Sequence, residues 1–249
     1  MLEAAAWGLV GASSLLFGAV IALRISVSNR VLGLILGFGA GTLISAVAFE
    51  LTEEAYNLGG ADAVAGGLAA GALAYFAGNL AIDRRGADQR MHPAGRADAE
   101  SASALLLGAV LDGIPESAVI GISLIEGGGV GIPILAAVFL SNMPESLSSS
   151  RGMKEQGLST VHILRTWTLV CLVSALAAAL GYGLLKDASG NVVGLIQAFA
   201  GGAVLTMLAS TMLPTANTLE KDAGPVLRGA VGLATVLGFA LAYLLSTLE

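Results

Sequence analysis

Apolar runs of membrane-crossing length follow one another along almost the whole chain, and this leaves few folds open. A helix needs about 20 mainly apolar residues, at about 1.5 Å rise each, to cross the hydrocarbon core of a bilayer. Candidate runs lie near 4–23, 31–52, 62–82, 102–125, 130–150, 161–185, 191–213 and 226–248, and the breaks between them carry most of the charges. Only 12% of the 249 residues are charged and 55% are hydrophobic, whereas soluble domains are about one-quarter charged. Too little polar surface remains to face water. In lipid each backbone group must be satisfied within its own segment, which leaves helices as the spanning element. The expectation is one all-α polytopic membrane domain over 1–249, with eight transmembrane helices.

Several other classes fall away. The start of the chain has no basic n-region, and Glu3 sits where one would lie, so the first span reads as a retained helix rather than a cleaved signal. One cysteine, Cys171, excludes an internal disulfide framework. A net charge of −6 with no basic patch gives no reason to expect nucleic acid. The chain does not read as an enzyme. Asp112 is the only aspartate at membrane depth, and no Ser-His or His-Glu-x-x-His arrangement occurs.

Lysine and arginine set the orientation, because cytoplasmic connections collect them. With the N-terminus outside, eleven of the twelve basic residues fall on inner connections: Arg24 and Arg30; Arg84, Arg85, Arg90 and Arg96; Arg151, Lys154 and Arg165; Lys221 and Arg228. Only Lys186 lies outside. Both termini are then extracytoplasmic, 83–101 is a cytoplasmic loop, and the chain is multi-pass in the cell (inner) membrane.

Two internal similarities suggest an inverted repeat. Phe38-Gly-Ala-Gly41 aligns with Phe199-Ala-Gly-Gly202 at an offset of 161 residues, in the second and seventh runs. Leu111-Asp-Gly-Ile-Pro-Glu-Ser117 resembles Leu140-Ser-Asn-Met-Pro-Glu-Ser146 at an offset of 29, in the fourth and fifth. Three spans mirrored by three around a central pair, 3+2+3, is a recurring plan of secondary transporters. The 34 glycines read as packing residues that let helix backbones approach in lipid, and no Lys-Ser/Thr follows them to form a phosphate loop.

Ionisable groups at bilayer depth cost at least about 2.5–3.5 kcal/mol each on insertion scales and so usually mark a function. Asp112 and Glu116 are four apart, on one helix face. Ser141 and Glu145 repeat the spacing, with Asn142 three from Glu145. Pro115 and Pro144 precede the two glutamates, and each frees a carbonyl one turn earlier, near Leu111 and Leu140. No lysine or arginine lies in either span as a counter-ion. A divalent cation resolves the repulsion among three such carboxylates; protonated acids hydrogen-bonding between helices are the structural alternative. Glu50, Glu53 and Glu54 close the second span, either as a cation entrance or as a solvated helix end. His92, His162, Met143, Met207, Met212 and Cys171 read as solvated, interfacial or packing residues.

On these motifs the chain resembles the ZIP family of divalent metal transporters (Zrt- and Irt-like proteins), in its bacterial branch, over nearly its whole length. The family's fourth span commonly reads His-Asn-x-Pro-Glu-Gly, and its fifth is similar. By position, Asp112 stands where the family has its first metal histidine and Gly113 where it has asparagine. Glu116 matches the bridging glutamate, Ser141 the second histidine, Asn142 the Asn/Asp place and Glu145 the second bridging glutamate. Glu50 and Glu54 match acidic or histidine positions that end the family's second span, while Ser174, Thr211 and Thr215 replace acids. The resemblance implies alternating-access transport of Zn²⁺ or a related ion such as Mn²⁺, Fe²⁺ or Cd²⁺. The metal is then substrate rather than cofactor, and a homodimer is implied. The missing histidines leave an oxygen-only set, which suits harder ions better. Carriage of protons or an organic cation, or metal sensing without transport, are the other readings of so altered a site.

Overall fold

The structure is a computed structural model, and it describes residues 1–83, 99–126, 129–220 and 229–247. The basic stretch 84–98, with His92, and 221–228, with Lys221 and Arg228, lie outside the described residues. Every regular element described is helical: α1 (Leu2–Arg24), α2 (Asn29–Ser45), a π-helical turn Ala46–Thr52, α3 (Glu53–Asp83), α4 (Ala99–Ser123), α5 (Ile132–Glu155), α6 (Thr160–Leu185), α7 (Gly190–Met207), a π-helical turn Leu208–Met212, α8 (Leu213–Glu220) and α9 (Ala230–Ser246). A short 3-10 turn, Leu124–Glu126, ends α4.

Four stretches among the described residues are long and apolar enough to cross a membrane: Leu2–Arg24, Asn29–Ala81, Thr160–Leu185 and Gly190–Leu219. The second is 53 residues long and breaks at Gly60, whose φ of 70° suits a residue without a Cβ. Helix therefore runs on to that glycine, past the run's apparent end near 52, because Glu53, Glu54 and Asn57 are tolerated in a helix even where the apolar pattern stops. Helix α5 likewise continues to Glu155 beyond the apolar run.

The surface is apolar and part of the interior is polar. Leu73, Leu184, Leu233 and Leu237 are 68%, 74%, 69% and 65% exposed, while Ser14, Thr42, Ser117, Ser141, Ser146, Ser150, Ser174 and Gln197 are buried. A soluble protein keeps most such side chains inside; large apolar side chains outside and polar ones inside fit a helical protein embedded in a membrane.

Elements recur at the spacing seen in the sequence. Ser28 and Ser189 are N-caps 161 residues apart, with φ/ψ of −68°/151° and −69°/151°. Each helix they begin passes into a π-helical turn, the first carrying a Thr52 Oγ1 to Val47 O bond of 2.7 Å and the second followed by Pro214, which has no N–H to continue the ladder.

Glycine contacts repeat too. A Cβ on Gly41 would overlap the Thr235 carbonyl, and one on Gly202 the Leu68 carbonyl; on Gly238 it would strike Phe38 O, and on Gly71 Phe199 O. Thus α2 packs on α9 just as α7 packs on α3. These registers also give direction. Residues 59, 67 and 71 meet 191, 198 and 199, so α3 and α7 run parallel, and 37 and 41 meet 231 and 235, so α2 and α9 do. Residues 11, 18 and 23 meet 135, 143 and 154, which makes α1 parallel to α5. By contrast Gly183 meets Met1, Ala178 meets Gly8 and Cys171 bonds Ala12 O at 3.1 Å, so α1 and α6 are antiparallel.

Candidate site on helices α4 and α5

The central helices are held by the outer ones: α5 lies against α1 and α2, and α4 against α6 and α7. Pro133 sits in the first turn of α5, where its missing N–H costs nothing, whereas Pro144 and, in α4, Pro115 lie inside their helices. Each internal proline removes one intrahelical bond, leaving the Leu111 or Leu140 carbonyl without its usual donor. Neighbouring backbone closes around the second of these. An ideal Cβ on Gly39 of α2 would lie 3.3 Å from Leu140 O and 3.1 Å from Ser141 Cα, while one on Gly18 of α1 would overlap Met143 O and Ser146 Oγ. Two glycines thus let α1 and α2 press on α5 at the Pro-Glu motif. The counterpart in α4 is looser: a Cβ on Gly113 would lie 3.4 Å from Ser174 Oγ, an ordinary contact.

Both glutamates of the repeated motif are buried, Glu116 at 3% and Glu145 at 5% exposure. Ser141 and Asn142 are buried at 1% and 4%, and Ser141 Oγ donates to Val138 O at 3.0 Å. The backbone of Asp112 belongs to α4, but its side chain lies outside the described residues. Among those described, no three His, Cys, Asp or Glu side chains form a group that could hold a metal ion. The described oxygen set is accordingly two carboxylates, an amide and hydroxyls on two neighbouring helices, each with an internal proline. Buried carboxylates of this kind can take up cations or protons.

The acids that close the second run separate. Glu53 is exposed, Glu50 and Glu54 are half-buried, and Glu50 falls within the first π-helical turn. Glu54 Oε2 accepts a 2.6 Å hydrogen bond from Gln197 Nε2 on α7. The remaining oxygens, Glu54 Oε1 and Gln197 Oε1, are buried without a hydrogen-bond partner among the described residues. Of the residues standing at family acid positions, Ser174 is buried beside α4, while Thr211 and Thr215 are half-buried and lie in and just after the second π-helical turn. His162 is exposed at the start of α6, and Cys171 is buried.

Two buried polar features lie outside the expectations drawn from the sequence. Gln197 is one, and a lone amide inside an apolar run is the type of residue that marks a buried polar contact. The polar seam of α5 is the other: Ser146, Ser148, Ser149 and Ser150 are all buried, and Ser150 Oγ accepts from Trp167 Nε1 at 2.7 Å. Four serines in five residues were the available signal.

Compared with family models and with curated proteins, the chain matches none.

Proposed function

We propose that the chain is an eight-span transporter that carries a divalent metal ion across the membrane through a carboxylate site on α4 and α5. The observation that carries this reading is the burial of Glu116 and Glu145, each directly after a proline inside its helix, in a molecule whose outer surface is apolar. Burying two carboxylates without a cation or proton is costly, so the site is read as one that exchanges them. The inward bias of lysine and arginine gives the orientation, with both termini outside, in the cell membrane. The resemblance to the ZIP family supplies the substrate class, with Zn²⁺ first and Mn²⁺, Fe²⁺ or Cd²⁺ as relatives.

In this reading Glu116 and Glu145 bridge the ion, and Asp112 and Asn142 complete its shell. Ser141 and the Leu140 carbonyl stand at its edge, Gly113 opposite. Glu50 and Glu54 gather cations near one mouth. The paired π-helical turns interrupt two repeat-related helices, as expected where a transporter bends.

The test is uptake into proteoliposomes that contain the full chain, scanning Zn²⁺, Mn²⁺, Fe²⁺, Co²⁺, Cd²⁺ and Mg²⁺. Uptake should fall in Glu116→Gln and Glu145→Gln by more than the about 10- to 100-fold that loss of an outer-shell partner brings to a metal site. Full uptake in both variants would refute the assignment. A second reading, a carrier of protons or an organic cation or a sensor without transport, is favoured by one observation: Asp112 and Ser141 stand where the resembled family carries its metal histidines. Absence of uptake for every ion, with folded protein in the bilayer, would select it.

A further inference from the structure

At the basic end of the molecule, a cavity of about 500 Å³ opens between the α1–α2 linker and the last turns of α5. Its volume lies within the roughly 300–1,000 Å³ of small-ligand sites. Three cations line it, Arg24, Arg151 and Lys154, against one carboxylate, Glu155.

Two of those cations are pre-positioned by the backbone they touch. Lys154 Nζ donates to Leu23 O at 2.9 Å. Arg151 Nη1 donates to Val27 O at 3.2 Å and to Asn29 Oδ1 at 2.6 Å, while its Nε engages Glu155 at 2.8 Å. That leaves Nη2 of Arg151, two ammonium protons of Lys154 and the exposed Arg24 guanidinium to meet a ligand. With Glu155 already matched to Arg151, the net balance is positive.

Apart from Ser26, the rest of the wall is apolar: Ala22, Val27 and Leu147, beside Ile25, which is 60% exposed. A free inorganic anion has no use for that wall. A phosphate group that brings acyl chains does. We propose that this cavity binds the phosphate of an anionic phospholipid, with Arg24 and Lys154 on the headgroup and Ile25 against the chains. Basic pockets between membrane helices are sites of this type. Bound there, the lipid would brace the α1–α2 linker against the helix that carries Glu145. The proposal requires the chain to sit in a bilayer but not to carry a metal, so loss of one reading leaves the other standing.

The test is thermal unfolding of the full chain in neutral detergent with phosphatidylglycerol, phosphatidylcholine or inorganic phosphate added at matched concentrations. Phosphatidylglycerol should raise the melting temperature by about 5 °C near saturation, and the other two should not. Arg24→Gln should raise the concentration needed for half the shift by about fivefold, the weight of one cation near an anionic headgroup. Arg30→Gln, close in sequence but outside the cavity lining, should leave it unchanged. Equal shifts from the two lipids, or equal losses in the two variants, would overturn the site. An equal shift from inorganic phosphate would overturn the lipid as its occupant.

Discussion

Helices α5 and α6 are neighbours of almost equal length, 24 and 26 residues, and they present opposite faces to the world. On α6, Val161, Leu172, Leu176 and Leu184 are 58%, 57%, 58% and 74% exposed. On α5 the only large apolar side chain so exposed is Ile132, in the first turn, while Ser141, Asn142, Glu145, Ser146, Ser148, Ser149 and Ser150 are buried. In water the pattern would be reversed, with α5 outside and α6 in the core. A solvent of lipid makes apolar surface free to expose and polar groups worth hiding, so polarity locates the interior. Thus α5, which by composition looks less like a membrane span than α6, is the more enclosed of the two.

That contrast can be broken first at its tightest point. Gly18→Leu drives a side chain into Met143 O and Ser146 Oγ and should destabilise the protein by about 3 kcal/mol, read as loss of folded, monodisperse protein in detergent. An intermediate effect belongs to the Trp167–Ser150 bond that joins the two helices. Ser150→Ala should cost about 1–2 kcal/mol by leaving the indole N–H unpaired, Trp167→Phe should cost a similar amount plus some lost packing, and the double variant should cost less than the sum. A fully additive double variant would show that the bond contributes nothing.

At the small end, Leu172→Ala on the exposed face of α6 should change stability by less than about 0.5 kcal/mol, since lipid replaces the lost contacts. A loss of more than about 2 kcal/mol there, as for a buried leucine, would mean that this face is covered by protein rather than lipid. In the homodimer reading, that would make α6 part of the interface.

The repeated halves add a sharper lesson. Gly41 and Gly202 stand at equivalent places in the sequence, and both are needed for close backbone approach, to Thr235 and Leu68. The third member of each half does not keep the 161-residue spacing: Gly71 and Gly238, which meet Phe199 and Phe38, are 167 apart. A search at one fixed offset finds the α2–α7 pair and misses this one, because the stretch joining α8 to α9 is longer than the turn at Gly60.

The sequence by itself determined that the chain is helical and lipid-solvated, because charge depletion over successive runs of about 20 residues leaves no other way to satisfy backbone and surface together. It also singled out Glu116 and Glu145, the two carboxylates that follow prolines in apolar runs, and both are buried. Only the tertiary structure decided which helices meet and in what direction, that Gln197 holds Glu54, and that three cations from α1 and α5 share a cavity. Those outcomes depend on which glycine faces which backbone, and periodicity along one helix carries no information about its partner.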